Sequence, residues 1–127
     1  MPIRFRDFVN GRGDNVIHDW LHSLDSKARA KVNSILAHLE TEETLTGSRY
    51  THKMDGTDHI FEVIVDTKGL ALRPLFFYGP SKGEATLVIG AEKKNDRLIP
   101  PDALEIAERR RAQVLNGQNE TRDHDVS

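Results

Sequence analysis

The sequence predicts an α+β fold in which a small, mainly antiparallel twisted sheet, mixed at its edge, packs against an N-terminal helical hairpin and precedes a C-terminal helix. The sheet is predicted by three runs rich in β-branched and aromatic residues, at 60–65, 70–78 and 85–91. Short turns containing glycine separate them, which is typical of sequential hairpins. The runs are mostly apolar rather than strictly alternating, so we expect helices to cover the sheet.

Residues 3–9 form the first predicted element. Their near-alternation of apolar and charged residues predicts a half-exposed strand at a sheet edge. The Asn-Gly-Arg-Gly stretch at 10–13 then predicts a turn. The Arg12-Gly13-Asp14 triplet is an adhesion motif only on a displayed extracellular loop, so we interpret it as a turn that leads to a helix N-cap.

Two helices with apolar stripes are predicted next, one from Asp14 or Asn15 to Leu24 and one from Asp25 or Ser26 to about Glu40. The stripes are Val16, Ile17, Trp20, Leu21 and Leu24 on the first helix, and Ala28, Val32, Ile35, Leu36 and Leu39 on the second. The short connection makes a helical hairpin whose joint apolar face lies on the sheet.

His18 and His22 invite a metal interpretation, because histidines four residues apart on a helix can share a metal ion. Both project away from the apolar stripe, however, and no third ligand is evident. We therefore interpret them as part of a solvated helix face, and we expect neither a metal nor another cofactor.

The remaining elements are a polar loop at 41–51 and a last helix that begins near Pro100 and Pro101, where a missing N–H is tolerated. Its predicted buried stripe is Ala103, Leu104, Ala107, Val114 and Leu115, with Arg111 inside the same angular span. Arg111 either snorkels or reaches across to the sheet surface. We expect residues 1–116 to form one domain and the polar residues 117–127 a disordered tail.

The composition is that of one modest globular domain. The 127 residues are 37% hydrophobic and 30% charged, with a formal net charge of −2. The absence of cysteine excludes disulfides, thiolate catalysis and cysteine-based zinc sites. The sequence has neither an apolar run of membrane length nor a signal-peptide pattern, so we expect a cytoplasmic protein that does not associate with membranes.

The charges are unevenly distributed. Basic residues concentrate between Lys93 and Arg111, so any affinity for nucleic acid comes from a local patch. Glu62 and Arg73 interrupt apolar runs, and buried charges are costly unless they are paired or functional. A cross-strand ion pair between these two residues would explain them without any substrate.

Short stretches in a fixed order carry a resemblance to a known family. They are Ile3-Arg4-Phe5, Trp20-Leu21-His22-Ser23-Leu24, Arg29-Ala30-Lys31-Val32, Leu36, Leu39-Glu40, Lys53-Met54-Asp55-Gly56, Ile60-Phe61-Glu62-Val63, Arg73, Phe76-Phe77, Gly90, Lys93-Lys94, Pro100, Leu104, Ala107 and Arg110. Together they span residues 3–115 and resemble the RelE/ParE toxin superfamily, most closely the phage-derived HigB-like branch of type II toxin-antitoxin systems.

The resemblance implies a toxin that inhibits translation as a ribosome-dependent mRNA endonuclease, or mRNA interferase. In such enzymes a ribose 2′-hydroxyl attacks the adjacent phosphate without a metal, while cations stabilise the phosphorane and a side chain handles the protons. The implied partners are mRNA on the ribosome and a cognate helix-turn-helix antitoxin. The resemblance implies that the protein contacts operator DNA only through this antitoxin.

The resemblance also implies site residues. Lys53 matches the family's basic position before the second strand, Arg73 its strand arginine, and Lys93 and Lys94 its basic stretch after the last strand. These four are the expected catalytic residues. The expected RNA-binding residues are Arg97, Tyr78, His59 and Arg111; Tyr78 or His59 suits base stacking or proton transfer.

Two alternatives remain open. The family commonly has a cation where Ile64 stands and an aromatic residue where Ala91 stands, and the last helix here lacks tyrosine. These departures favour a gyrase-inhibiting or non-catalytic binding protein of the same fold. A third hypothesis is an interaction domain whose groove is filled by a partner.

Overall fold

A computed structural model of the chain describes residues 2–45 and 47–126; Met1, Thr46 of the predicted loop and Ser127 of the predicted tail lie outside the described residues. The helices are α1 (Val16–Ser23), α2 (Ser26–Leu39) and α3 (Ala103–Leu115). The strands are β1 (Arg4–Phe8), β2 (Thr51–Lys53), β3 (Phe61–Val63), β4 (Val65–Thr67), β5 (Leu70–Leu72), β6 (Leu75–Tyr78), β7 (Glu84–Ile89), β8 (Glu92–Lys94), β9 (Arg97–Ile99) and β10 (Thr121–Asp123). The predicted α+β class is confirmed.

The strands form two sheets. The larger has the order β10-β1-β7-β6-β3-β2, and the smaller has the order β4-β5-β8-β9. Strands β1 and β7 run parallel, with Arg4 opposite Glu84, whereas the other neighbouring pairs are antiparallel. The mixed pairing predicted for the sheet edge therefore lies in the sheet interior.

Helices cover the larger sheet on both faces. Successive residues of a strand point to opposite faces, and β6 shows this directly. Phe76 is buried with Val32 and Leu36 of α2, whereas Phe77 is buried with Ala103 and Ala107 of α3. The molecule is thus a three-layer arrangement with the helical hairpin on one side and α3 on the other.

The helical hairpin agrees closely with its prediction. Asn15 caps α1 by accepting hydrogen bonds from the N–H groups of Ile17 and His18, and Asp25 caps α2 through the N–H of Ala28. All five residues of the predicted α2 stripe are buried: Ala28, Val32, Ile35, Leu36 and Leu39. On α1, Ile17 and Leu21 are buried and the other stripe residues are half-buried.

Two of the three predicted strands are broken in the middle. The run at 60–65 is divided into β3 and β4 at Ile64, and the run at 70–78 is divided into β5 and β6 at Arg73 and Pro74. Pro74 has no N–H for a ladder, and a register irregularity follows between Leu75 and Phe76. These breaks let the chain leave the larger sheet, build the smaller one and return.

The predictions for the two chain ends need correction. Strand β1 is an interior strand rather than an edge strand, because β10 pairs beside it. The segment expected to be disordered therefore contains an ordered strand. Arg6 holds this strand by donating hydrogen bonds to Asp123 Oδ1 at 2.6 Å and to Thr121 Oγ1 at 2.7 Å. The polar composition of this segment does not reveal these specific contacts.

Helix α3 corrects another expectation. Ala103, Ala107 and Val114 are buried as predicted, but Leu115 is 48% exposed. The arginine that crosses to the sheet is Arg110, not Arg111: it donates to the carbonyl oxygen of Val88 at 2.7 Å. Burial, and secondly the charge of Arg109, lowers the pKa of Arg110.

Among the described residues, no helix combines the length and apolar character needed to cross a bilayer.

Candidate active site

Glu62 is the centre of a charged cluster on the α3 side of the larger sheet. It lies in β3 directly opposite His52 of β2, so both side chains point to the same face. The Glu62 Oε2 atom lies 3.0 Å from His52 Nδ1. The Glu62 side chain is only 9% exposed, whereas that of His52 is 55% exposed. A buried carboxylate is therefore connected to solvent through an imidazole.

Arg73 is the second partner of this carboxylate. Its Nε atom lies 3.4 Å from Glu62 Oε1, and its Nη1 atom donates to Asp66 Oδ1 at 2.9 Å and to the carbonyl oxygen of Leu72 at 2.8 Å. The ion pair between Glu62 and Arg73 that the sequence suggested is confirmed. Because two carboxylates face the guanidinium, its positive charge is largely offset in the free protein.

A cleft of about 200 Å³ opens beside Glu62. It is lined by His52, Met54, Asp55, Glu62, Lys93, Asp96 and Leu98. Lys93 comes from β8 of the smaller sheet, so the cleft lies where the two sheets meet. Of the expected catalytic residues, Lys93 reaches this cleft directly and Arg73 is connected to it through Glu62.

The hairpin of β8 and β9 carries the remaining basic stretch. Lys94 pairs with Arg97, and both side chains are exposed. The two residues between them, Asn95 and Asp96, have positive φ angles of 51° and 62°, as a tight hairpin turn requires. Neither Lys94 nor Arg97 lines the cleft, so they suit binding of a nucleic-acid backbone better than catalysis.

Lys53 and Tyr78 lie on the other side of β2. They line a groove of about 430 Å³ together with Ile3, Phe61 and Thr51, on the face that carries the helical hairpin. His52 lines this groove as well as the cleft beside Glu62. Three of the expected site residues are thus divided between two cavities that share one histidine: Lys93 lines the cleft, and Lys53 and Tyr78 line the groove.

Tyr78 is the exposed aromatic residue of that groove. The residue is 44% exposed, and its ring contacts Phe61 edge-to-face at 4.9 Å between centroids. Partial burial raises the pKa of the Tyr78 hydroxyl above its ordinary value of 10.0. The phenol is therefore neutral near pH 7 and is available as a hydrogen-bond donor.

His59 and Arg111 are not brought to either cavity. His59 is exposed in the turn before β3, where its N–H donates to Thr57 Oγ1 at 3.2 Å. Arg111 is half-exposed on α3. In the part of the chain described, neither residue lines the cleft beside Glu62 or the groove beside Tyr78.

Sequence reasoning missed His52 as a site residue and noted Glu62 only as an exception within an apolar run. The signal that identifies them is the register of the β2–β3 hairpin, in which His52 and Glu62 are direct partners. A loop was expected up to position 51, so this pairing could not be seen.

The cluster has the parts needed for proton transfer beside a phosphate. Glu62 can accept a proton, His52 can donate one, and Arg73 and Lys93 supply positive charge. For metal chemistry, residues 2–45 and 47–126 contain no group of three or more His, Asp or Glu side chains that could hold an ion. His18 and His22 are stacked on each other at 4.1 Å on the exposed face of α1.

Comparison with protein families identifies a match. The family model described as Phage derived protein Gp49-like (DUF891) matches residues 19–112, which is most of the chain. No curated protein and no solved structure gives a significant match. The matched segment includes the C-terminal part of α1, all of α2, the Glu62 cluster and most of α3.

Proposed function

The chain belongs to the Gp49-like family of phage-derived proteins, and from this premise we propose that it is the toxin of a type II toxin-antitoxin pair that cuts mRNA on the ribosome. The family is toxin-like and associated with toxin-antitoxin systems. The observation that carries the proposal is the cluster of Glu62, His52 and Arg73 beside the Lys93 cleft. This cluster unites proton carriers and cations at a sheet surface open to a single RNA strand.

The proposed reaction is an internal transesterification of RNA. Glu62 takes the proton of a ribose 2′-hydroxyl, and the 2′-oxygen attacks the adjacent phosphorus. The bond from phosphorus to the 5′-oxygen breaks, and protonated His52 donates a proton to that leaving oxygen. The products are a 2′,3′-cyclic phosphate and a 5′-hydroxyl, so atoms and charges balance without a metal or a cofactor.

In this proposal Arg73 and Lys93 stabilise the phosphorane. Lys93 lines the cleft and is exposed, so it can approach an incoming phosphate. Arg73 must first exchange a partner, because its Nη1 atom is bonded to Asp66 in the free protein. The Asp66 side chain is 67% exposed, and a phosphate that displaces it would receive a bidentate contact from the guanidinium.

The antitoxin that this proposal requires neutralises the toxin by covering the Glu62 cleft and the basic hairpin of β8 and β9. Lys93, Lys94 and Arg97 are all exposed there and suit an acidic antitoxin segment. In this proposal the antitoxin also carries the helix-turn-helix unit, so the pair binds operator DNA through the antitoxin alone.

The test is primer-extension mapping of cellular mRNAs after brief induction of the protein. We expect cuts at fixed positions within translated codons. Glu62→Gln and Arg73→Lys should each reduce cutting by about 100-fold or more, the scale of losing a proton carrier or a transition-state contact. Lys82→Gln, in the exposed turn before β7, is the matched control and should cut like wild type.

Arg73→Lys is preferred to Arg73→Ala because alanine would leave the buried Glu62 carboxylate without its cationic partner. Melting curves of each variant establish that it is folded. If folded Glu62→Gln still cuts like wild type, the cluster is not the catalytic site.

A second candidate function is a binding toxin without catalysis, for example a gyrase inhibitor. The specific observation in its favour is the pairing of Arg73 with both Glu62 and Asp66, which lowers its affinity for phosphate. Growth arrest without mRNA cuts would select this alternative, and DNA-damage signalling would identify gyrase as its target.

A further inference from the structure

We propose that the groove beside Tyr78 is a nucleobase-binding subsite, which holds the base next to the phosphate bound in the Glu62 cleft. The inference rests on the proposed RNA-cutting function and adds a substrate contact to it. In this inference, an unpaired base stacks on Tyr78 and Phe61, and Lys53 contacts the RNA backbone.

The groove and the cleft meet at one edge of the larger sheet. His52 and Lys53 are consecutive residues of the edge strand β2, so their side chains point to opposite faces of the sheet. His52 contributes to both cavities. The two cavities therefore lie on opposite sides of this edge strand. Adjacent nucleotides of one RNA strand can straddle this edge.

The groove has an exposed aromatic surface at Tyr78. The Tyr78 ring is braced by edge-to-face contacts with Phe61 at 4.9 Å and Phe76 at 5.4 Å, while 44% of the residue stays exposed. A rigid, half-open aromatic ring is the usual platform on which single-stranded RNA places a base. Ile3 extends the apolar wall beside it.

Charged side chains also line the groove. Lys53 is exposed at the mouth of the groove, on the same face as Tyr78. Glu43 also lines the groove, so among the described residues there Lys53 supplies the one full cationic charge for the anionic backbone of a bound nucleotide, beside the apolar side chains that would contact its base. The neutral hydroxyl of Tyr78 adds a hydrogen-bond donor for base edges or backbone oxygens.

The direct test is fluorescence anisotropy with wild-type protein and a labelled, fully 2′-O-methylated hexanucleotide of mixed sequence, which cannot be cut because its 2′-oxygens are blocked. Tyr78→Ala should weaken binding about 10-fold, within the range measured for loss of one base stack. Tyr78→Phe keeps the ring and should remain within about twofold. Leu115→Ala, an exposed apolar position on α3, is the matched control.

A companion ligand identifies the group that is recognised. The same backbone without bases should bind wild type more weakly, and Tyr78→Ala should weaken that binding no further. If Tyr78→Ala weakens the binding of both ligands by the same factor, Tyr78 contacts the backbone and the base subsite is overturned.

Cut-site mapping separates this inference from the proposed function. We expect induced Tyr78→Ala to keep cutting mRNA but with a changed preference for the base next to the cut. Cutting with an unchanged preference and unchanged RNA affinity would overturn the subsite and leave the nuclease intact. Wild-type protein that neither cuts mRNA nor binds the hexanucleotide would overturn both.

Discussion

Gly90 shows at the scale of one residue how a missing side chain decides the packing. A Cβ atom placed on Gly90 would lie 1.8 Å from Cδ2 and 2.1 Å from Cγ of Trp20. These atoms belong to the base of a bulky ring rather than to a flexible end, so the indole cannot simply turn aside. Gly90 therefore lets Trp20 of α1 lie directly on the backbone that links β7 to β8.

Gly90→Ala should consequently destabilise the fold by about 3 kcal/mol, the upper range for overpacking a well-filled site. Urea unfolding followed by Trp20 fluorescence measures this. Gly11→Ala is the control, because a Cβ at Gly11 has nothing within 4 Å. Equal stability of the two variants would mean that α1 shifts away from the sheet without loss.

Tyr78 gives a prediction for alkaline pH. Its pKa is raised by burial, so the folded protein favours the neutral phenol. This contribution to stability is fully present below pH 10, the ordinary pKa, and is lost as pH rises through the higher folded-state value. Tyr78→Phe removes the titrating group. Above pH 10, urea unfolding should show wild type losing stability relative to Tyr78→Phe, whereas a constant difference from pH 8 to 11 would contradict the burial argument.

Among the elements, a buried polar network adds to the β1 ladder and the Arg6 contacts in attaching β10. His124 Nδ1 lies 2.7 Å from Asp7 Oδ1 and His124 Nε2 lies 2.9 Å from Asn33 Oδ1. Asn15 Nδ2 donates to the second Asp7 oxygen at 2.9 Å. The His124 and Asp7 side chains are 2% and 4% exposed. The network joins β1, the N-cap of α1, α2 and the segment after β10.

His124→Ala should cost about 3 kcal/mol, because it leaves the Asp7 carboxylate buried with less compensation. Thermal or urea unfolding measures the loss, and amide hydrogen exchange should rise first at residues 121–123. Arg122→Ala, exposed on the same strand, should change stability by no more than about 0.5 kcal/mol. If His124→Ala retains slow exchange in β10, the strand is held by its ladder and Arg6 instead.

Some of these elements could be predicted from the sequence and others could not. The α2 stripe and both helix caps were predictable because period and capping chemistry are local signals. The breaks at Ile64 and Pro74 were missed because an apolar run does not reveal where a strand changes sheets. Strand β10 was missed because Thr121–Asp123 is polar, and its partners are distant Arg6 and Asp7.

The candidate site was predictable only in part for a related reason. Arg73 and Lys93 stand out as charges in or after apolar runs; Arg73 pairs with Glu62, and Lys93 lines the cleft beside it. His52 gives no local signal. Lys53 was assigned to the catalytic group, but strand parity places it on the face opposite His52, and parity requires the β2 register.

For the whole molecule, a net charge of −2 makes nucleic-acid binding depend on a few local cations. If RNA contacts Lys93, Lys94 and Arg97, the logarithm of affinity should fall with the logarithm of salt concentration at a slope of about −0.7 per neutralised phosphate. Lys94→Gln should reduce the slope by about 0.7 in anisotropy titrations. Lys27→Gln, at an exposed position on α2, should leave the slope unchanged. Equal slopes for the two variants would mean that RNA does not contact Lys94.

The parallel pairing of β1 with β7 affects the rate of folding. The two strands are separated by roughly 80 residues, and closing so long a loop is entropically unfavourable before its contacts form. During synthesis β1 therefore emerges early and waits without its central partner. Folding dominated by such distant contacts is typically slow, on the order of milliseconds to seconds. The Glu62 cleft takes its residues from both sheets, so it is complete only when both sheets have formed.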